Sequence, residues 1–319
     1  MLHRRMREIA ALCLILILSL SFPARADEKK AKEKKPLPEG KPVLWQEPKD
    51  IETRDLYLGP GGASMKPELS RVTFIKEQKG GWSKKYRVRD ARGREWVAKL
   101  GPEAQSETAA SRLLWAVGYT SEITYLAPRV TIQGKGDFAN VRFEARPKGV
   151  ERLGEWTWEG NPFDGTRELQ GLKVMMVLLN NWDVKDENNI IFHRPEDKKL
   201  LYGISDLGAT FGKAGGALWK LTRSRNKPED YADRKFIDGV KGDKVDFNYG
   251  GKMPELFDGI TVRNARWIGG YLSRLSDRQL RDAFRAANYT PGEVQLLTAE
   301  VRARINDLVN LPHNVARTR

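Results

Sequence analysis

The sequence predicts an α+β fold with two lobes. Between residues 70 and 145, short apolar segments with strand-like alternation recur, and one helical pattern interrupts them. Beyond residue 165 the apolar residues recur every three or four positions, the period of helices that pack on a core. A polar stretch rich in acids and amides, residues 180–208, follows the first of these helical patterns. This order predicts a small lobe with an antiparallel sheet, then a mostly helical large lobe.

Residues 1–26 have the pattern of a secretory signal peptide. A basic start precedes a largely apolar run, residues 9–22, and Ala24-Arg25-Ala26 forms a cleavage site before Asp27. The run is shorter than the roughly 20 residues that a membrane span needs. We therefore expect export, with cleavage near Ala26, and a periplasmic or secreted mature protein.

Cysteine and charge narrow the class of partner. The chain has a single cysteine, Cys13, inside the signal peptide, so the mature protein has no thiol, which fits an oxidising compartment. Loss of four Arg and one Glu with residues 1–26 lowers the net charge from +14 to +11. That excess favours anionic partners such as a nucleotide. No nucleic-acid-binding motif accompanies it, so nucleic acid is not expected as a partner.

The three histidines, at positions 3, 193 and 313, are scattered along the chain. This spacing provides neither a histidine-based metal site nor a Ser-His-Asp triad.

Residues 27–50 are rich in lysine and proline and predict a disordered tether. A plain solvated linker is one interpretation, and weak contact of its lysines with an anionic membrane surface is the other. Residues 51–69, rich in Gly and Pro, form an irregular lead-in.

The small lobe is predicted over residues 70–149. Five strands are expected, at residues 71–76, 84–89, 95–100, 126–132 and 139–145, with one helix over residues 103–118. Residues 146–149 are expected to form the hinge between the lobes.

The large lobe is predicted over residues 150–319. A helix is expected over residues 166–179, and two closing helices begin with the capping-box pairs Ser276/Gln279 and Thr290/Glu293. Residues 209–260 lack periodicity and hold several lysines and arginines. They are either a docking segment for a protein substrate or a solvated loop.

Residues 180–208 carry the candidate chemistry. An acid, Asp183, is followed five positions later by Asn188, then by a short hairpin and a second acid, Asp206. This is a layout for phosphoryl transfer, in which Asp183 suits the base that receives a hydroxyl, and Asn188 and Asp206 suit a divalent metal. The plain alternative is two ordinary turns that flank a hairpin.

Three motifs resemble those of protein kinases. Asp183-Val-Lys-Asp-Glu-Asn188 is similar to the D-L-K-P-E-N catalytic loop, Asp206-Leu-Gly208 to D-F-G, and Trp96-Val-Ala-Lys99 to V-A-I-K. The chain thus resembles atypical kinase-like proteins of the HipA and secretory-pathway kinds, in an exported bacterial branch. Asn181-Trp182 stands in place of the His-Arg of the catalytic loop. Regulation through that arginine is therefore not implied.

The resemblance implies roles for further residues. Lys185 would contact the transferred phosphate, and Lys99 would clamp the α and β phosphates. Glu107, in the following helix, would pair with Lys99, with Glu103 as the second choice and an exposed helix acid as the plain interpretation.

The connection between the first two strands is the candidate phosphate-covering loop. Gly80 and Gly81 would let backbone amides approach an anion, and Ser83 would add a hydroxyl. An ordinary hairpin turn explains the same residues.

The function expected from these observations is an exported, ATP-dependent phosphotransferase that uses Mg²⁺ or Mn²⁺. It would move a γ-phosphoryl group to a hydroxyl, that of a protein in the first instance. The alternatives are a catalytically silent, pseudokinase-like binding module, a lipid or sugar kinase, and an AMP transferase on the same fold.

Overall fold

The computed structural model describes residues 36–80, 82–214 and 222–312. The expected signal peptide, the first part of the expected tether and Gly81 lie outside these residues. Residues 36–38 end a separate N-terminal unit and are exposed, without regular structure. Residues from Glu39 onward form the other unit.

The small lobe contains the five predicted strands. They are β2 (Val72–Gln78), β3 (Lys85–Arg89), β4 (Glu95–Lys99), β6 (Thr124–Gln133) and β7 (Gly136–Ala145). The sheet closes into a barrel in the order β2-β3-β4-β7-β6, because the start of β2 pairs in parallel with the end of β6. Alternate side chains fill the barrel, among them Tyr86 and Val88 of β3 and Trp96 and Ala98 of β4.

The single helix of this lobe is α1 (Glu103–Ala116). It contacts β6 and β7 of the barrel on one side and a C-terminal helix, α5 (Asp277–Ala286), on the other. Twelve of its 14 residues are buried, including the charged residues Glu103, Glu107 and Arg112. The helix therefore connects the two lobes and carries acids into the interior.

A second sheet begins the large lobe. Its strands are β1 (Lys41–Val43), β5 (Thr120–Ser121), β8 (Glu151–Gly154), β9 (Asn189–Arg194) and β10 (Lys199–Ile204). The central hairpin of β9 and β10 is the one predicted from the sequence. β8 pairs with β9, and both β1 and β5 run parallel to β10.

The prediction of a disordered tether through residue 50 is wrong for residues 41–50. β1 satisfies its backbone groups on β10, and Leu44 is 2% exposed. The indole of Trp45 donates to the Val117 carbonyl at 2.7 Å and lies against the rings of Trp267 and Tyr271. These apolar residues were concealed by the Lys- and Pro-rich composition around them. The lead-in that follows is mostly turns, as expected, but Ile51 and Leu56 are buried in the core.

The remaining helices pack mainly on one another and share one hydrophobic core with the second sheet. They are α2 (Arg167–Leu178), α3 (Pro228–Ala232), α4 (Val262–Ser273), α5 and α6 (Pro291–Val309). α2 begins at the predicted place, where Thr166 accepts from the Leu169 amide, and both predicted capping boxes are present. Within the described ranges, every helix is too short or too polar to cross a lipid bilayer.

Residues 209–260, predicted to be irregular, contain regular structure. Besides α3, a two-stranded ribbon is formed by β11 (Ile237–Lys241) and β12 (Lys244–Phe247). Their glycines and charges obscured the alternation in the sequence. Residues 215–221 of this segment lie outside the described residues.

Candidate functional site

Lys99 and Glu107 form the ion pair expected from the sequence. β4 ends at Lys99, whose side chain is almost fully buried, and α1 places Glu107 below it, with Nζ and Oε2 2.8 Å apart. Burial lowers the pKa of Lys99, but the carboxylates of Glu107 and Asp206 outweigh it, so the pKa lies above its ordinary value. Lys99 therefore stays charged at neutral pH.

Glu103 is a second partner of Lys99 at almost the same distance, 2.9 Å. It also contacts Arg225 and accepts from the Ser83 hydroxyl at 2.6 Å. The hydroxyl of Ser83 is thus bonded to an acid of α1. This contact differs from the expectation that Ser83 faces phosphate, and the reason is that Glu103, one helical turn before Glu107, reaches the loop.

The loop between β2 and β3 is fastened to the large lobe. The Arg225 guanidinium lies 4.5 Å from the ring centre of Trp82 and 4.7 Å from that of Trp182. Gly80 has a φ of +101°, a left-handed conformation that glycine adopts readily. Gly81, the other glycine expected to cover phosphate, lies outside the described residues.

A buried layer of arginines and acids stands behind Lys99. Arg142 of β7 contacts Glu107 at 3.0 Å and Glu144 at 2.6 Å, and Glu144 also contacts Arg146. Burial raises the pKa of Glu144, but Arg142 and the neighbouring arginines outweigh it and lower it to about 2. Burial also raises the pKa of Glu107, with Arg142 and Lys99 acting against that shift.

Sequence reasoning missed this layer. Arg142, Glu144 and Arg146 occupy alternate positions from β7 into the hinge, so their side chains fall on one face of the strand. Charges that alternate in a strand whose neighbours are apolar are the signal that would have identified them.

Asn188 and Asp206 lie side by side because the backbone joins them. The amides of Ser205 and Asp206 donate to the Asn188 carbonyl, at 2.8 and 3.2 Å. Asp206 Oδ1 accepts from the Gly208 amide at 3.1 Å and lies 3.4 Å from Lys99 Nζ. Burial raises the pKa of Asp206, but Lys99 and the Gly208 amide outweigh it and lower it to about 2. The carboxylate is therefore ionised at neutral pH.

The side chains of Asn188 and Asp206 have oxygen atoms of the kind that a hard divalent cation prefers as ligands. Asn188 uses its Nδ2 on the Asp183 carbonyl, at 2.7 Å, which directs its Oδ1 elsewhere. No hydrogen bond to Asn188 Oδ1 or Asp206 Oδ2 is present in the described part of the chain. Mg²⁺ is usually held by one or two protein side chains together with phosphate and water. The described residues contain no cluster of three or more His, Cys, Asp or Glu side chains that would hold a metal alone.

Asp183, the candidate base, is placed between two lysines. Its Oδ2 lies 3.3 Å from Lys185 and its Oδ1 lies 2.5 Å from Lys252. Its backbone amide donates to Asn181 Oδ1 at 3.2 Å, and Asn188 Nδ2 lies 3.5 Å from Oδ2. Lys185 was expected here from the sequence. Lys252 was not, because it belongs to the segment after Gly208 in which no pattern was recognised.

A polar cavity of about 170 Å³ connects the two halves of the site. Its walls include Lys99, Glu107, Asn188 and Asp206, together with Arg142 and Glu144 of β7 and Arg152 of β8. An unbroken series of contacts runs from Glu107 through Lys99, Asp206 and Asn188 to Asp183. The structure thus places side by side the charged and amide residues that the sequence singled out.

Comparison with known proteins gives matches among solved structures alone. No protein-family model matches the chain, and no curated protein matches its sequence. The proinflammatory kinase CtkA of Helicobacter pylori is similar at 12% identity, with a TM-score of 0.47 over 74% of this chain and 95% of that one.

Two other similar structures are also kinases. One is a Golgi casein kinase, at 8% identity and a TM-score of 0.40 over 84% of this chain and 79% of that one. The other is the Rio2 kinase of Chaetomium thermophilum with ADP, Mg²⁺ and phosphoaspartate, at 12% identity and a TM-score of 0.30 over 75% of this chain and 72% of that one. At these values the likenesses carry no argument about activity.

The fold is a two-lobed, protein-kinase-like α+β fold. A five-stranded barrel with one helix forms the small lobe, and a hairpin with helices forms the large one. Lys99 and Glu107 from the first face Asn188 and Asp206 from the second.

Proposed function

We propose that this protein is a phosphotransferase that moves the γ-phosphoryl group of ATP to a hydroxyl, in the first instance that of a protein. The observation that supports it is the unbroken contact series from Glu107 to Asp183. All of its members except Asp183 line one cavity. Phosphoryl transfer needs positioning and charge neutralisation more than covalent chemistry, and these residues supply both.

Each residue has a role in this proposal. Lys99 would hold the α and β phosphates, with Glu107 and Glu103 keeping its ammonium in place. Asn188 and Asp206 would hold Mg²⁺ or Mn²⁺, which neutralises phosphate charge when it is bound. Asp183 would accept the proton of the acceptor hydroxyl as its oxygen bonds to phosphorus and ADP leaves, and Lys185 would contact the transferred group.

A binding module without catalysis is the second candidate. Lys99 is already surrounded by the carboxylates of Glu103, Glu107 and Asp206. The cavity of about 170 Å³ is also smaller than the roughly 300 Å³ at which ligand sites usually begin. Both observations describe a closed cleft, and a module that uses this closed form to hold a partner would need no nucleotide.

We further propose that the mature protein acts outside the cytoplasm. The basic start, the apolar run and the cleavage site within residues 1–26 support this location, as does the lack of cysteine after residue 26. The donor would then be nucleotide available in that compartment.

Nucleotide-dependent thermal stabilisation separates the two candidates. ATP with Mg²⁺ at a hundredfold excess over its Kd should stabilise an enzyme by about 2.7 kcal/mol, and ATP without metal by much less. Asp206→Asn should lose the metal-dependent part, because a triphosphate without its cation meets uncompensated charge.

Asp183→Asn should keep this stabilisation but lose transfer by roughly 10²–10⁴-fold, measured with radiolabelled ATP. The exposed acid Asp233, at the end of α3, gives a matched control in Asp233→Asn. Wild-type protein that shows no shift with millimolar nucleotide and either metal would favour the binding module.

A further inference from the structure

Lys252 forms the shortest contact to the candidate base, and neither the motifs nor the proposed reaction accounts for it. Its ammonium lies 2.5 Å from Asp183 Oδ1, whereas that of Lys185 lies 3.3 Å from Oδ2. The Lys252 side chain is 38% exposed and that of Asp183 is 21% exposed. An ammonium thus reaches the base from the open side of the site.

The turn that carries Lys252 is built onto the catalytic loop. The Lys252 amide donates to the Trp182 carbonyl at 2.9 Å, and the Tyr249 hydroxyl donates to the Asn181 carbonyl at 2.9 Å. A Cβ on Gly251 would lie 2.6 Å from Trp182 Cα, so only glycine permits this approach. The position of Lys252 beside Asp183 is therefore set by the backbone as well as by the ion pair.

The charges around Asp183 do not balance. One carboxylate faces the two ammonium groups of Lys185 and Lys252, which leaves an excess of one positive charge. The guanidinium groups of Arg223 and Arg225 also lie over the ring of Trp182, next to Asp183 in the chain. An acceptor that approaches Asp183 therefore meets two ammonium groups and one carboxylate.

An anionic group on the acceptor, next to its hydroxyl, would balance the excess positive charge at Asp183. The oxygens of Asp183 have acceptor sites beyond those that the two ammonium groups use, so the acceptor hydroxyl can donate to the carboxylate beside them. The Lys252 side chain is 38% exposed, so its ammonium then lies next to the acceptor. An ammonium has three N–H donors, and a carboxylate or phosphate on the acceptor would pair with it.

We propose that Lys252 is a specificity-determining residue that selects a peptide acceptor with an acidic side chain next to the hydroxyl. This inference rests on the proposed phosphotransferase function, but the binding it describes needs no transfer. A neutral acceptor leaves the excess positive charge of the two lysines uncompensated, whereas an acidic one balances it.

Two serine peptides that differ only in Glu or Gln next to the serine provide the test. Binding is measured by fluorescence anisotropy with Mg²⁺ and a non-hydrolysable ATP analogue. The wild-type protein should bind the Glu peptide about tenfold more tightly, the size of one charge-assisted contact. Lys252→Gln should reduce this ratio to about twofold, and Lys252→Arg should keep most of it.

Lys241→Gln is the matched control, because Lys241 is an exposed lysine of the same lobe that pairs with Asp246, 2.7 Å away. It should leave the ratio unchanged. Equal binding of the two peptides by the wild-type protein, binding of neither, or a tenfold ratio that persists in Lys252→Gln would overturn the inference.

The anion subsite and the proposed phosphoryl transfer can be tested independently of each other. The same peptides are also tested without nucleotide. Loss of the Glu preference in Lys252→Gln, in a protein that shows no metal-dependent nucleotide binding, would support the anion subsite and reject phosphoryl transfer. Transfer to both peptides with equal KM would reject the subsite and leave the enzyme.

Discussion

Arg225 fastens the loop between β2 and β3 to the large lobe, and its removal should make nucleotide binding tighter. The guanidinium contacts the buried carboxylate of Glu103 and lies between the rings of Trp82 and Trp182. The cavity at the site holds about 170 Å³, less than the roughly 300 Å³ at which ligand sites usually begin. We expect a nucleotide to shift the loop, and so to break the Arg225 contacts, as it enters.

The expected change in nucleotide affinity can be worked out from the contacts of Arg225. A hydrogen bond to a charged group contributes about 1.5–3 kcal/mol, and each ring contact about 0.5–1 kcal/mol. The contacts that join Arg225 to the small lobe are those with Glu103 and Trp82. The Arg225 side chain is 19% exposed and Trp82 is 69% exposed. Solvent screening therefore favours the lower end of each range, about 2 kcal/mol for these two contacts. If opening costs that much, Arg225→Gln should raise the affinity for Mg²⁺-nucleotide by about 30-fold.

Isothermal titration with Mg²⁺ and ADP measures this directly. Glu103 keeps Lys99 and Ser83 as partners in the variant, so its carboxylate is not left alone. Lys227→Gln removes the same charge at a nearby exposed position and should bind like the wild type. Trp82→Ala should give a smaller gain, about two- to fivefold. Affinity in Arg225→Gln that equals or falls below that of Lys227→Gln would refute the idea that Arg225 closes the cleft.

Three other predictions are independent of nucleotide. The exported protein should begin at Asp27 on N-terminal sequencing of the periplasmic or secreted fraction, and an intact Met1 there would contradict it. Gly251→Ala should destabilise by about 1–3 kcal/mol in urea unfolding, because its Cβ would lie 2.3 Å from the Tyr249 hydroxyl. Gly259→Ala, where a Cβ meets nothing within 4 Å, is the control. Glu144 should make the protein acid-sensitive, since its pKa is about 2 when folded and 4.5 in the reference state. A lowered pKa contributes stability that is present above about pH 4.5 and lost as the pH falls toward 2. The difference in unfolding free energy between the wild type and Glu144→Gln should therefore shrink as pH falls from 6 to 2.5, and a constant difference would show that the charge of Glu144 does not matter.

Local patterns were sufficient for much of the fold. Alternation and turn residues predicted the five strands of the barrel, and capping boxes predicted the starts of the last two helices. Closure of the barrel was not predicted, since it depends on the pairing of Val72 with Ile132, which lie far apart in the chain.

The candidate site also has a part that local sequence patterns predict and a part that they do not. Asp183, Asn188 and Asp206 lie in one short stretch of the chain, so their spacing alone indicated a common site. Lys99 and Glu107 are separated by a strand end and one helical turn, a geometry that local rules describe. Glu103 was ranked second for Lys99, and the structure gives Lys99 both acids because one helical turn separates them on the same face.

Contacts between distant segments were not predictable. Lys252 reaches Asp183 and Arg225 reaches Glu103, each from a segment far along the chain from its partner. In the sequence both are ordinary basic residues in a segment without periodicity. Their importance depends on where the backbone places them, which no local pattern of charge reveals.

The short strand β1 affects how any recombinant form of this protein should be designed. It covers the first half of β10, the strand that leads directly into Asp206. A form trimmed to residue 51 would lose β1, expose the backbone groups of Lys199 to Leu201, and leave an open strand edge that invites pairing with a second molecule. Such a sample would tend to aggregate, and a lack of nucleotide binding in it would then not distinguish the two candidate functions.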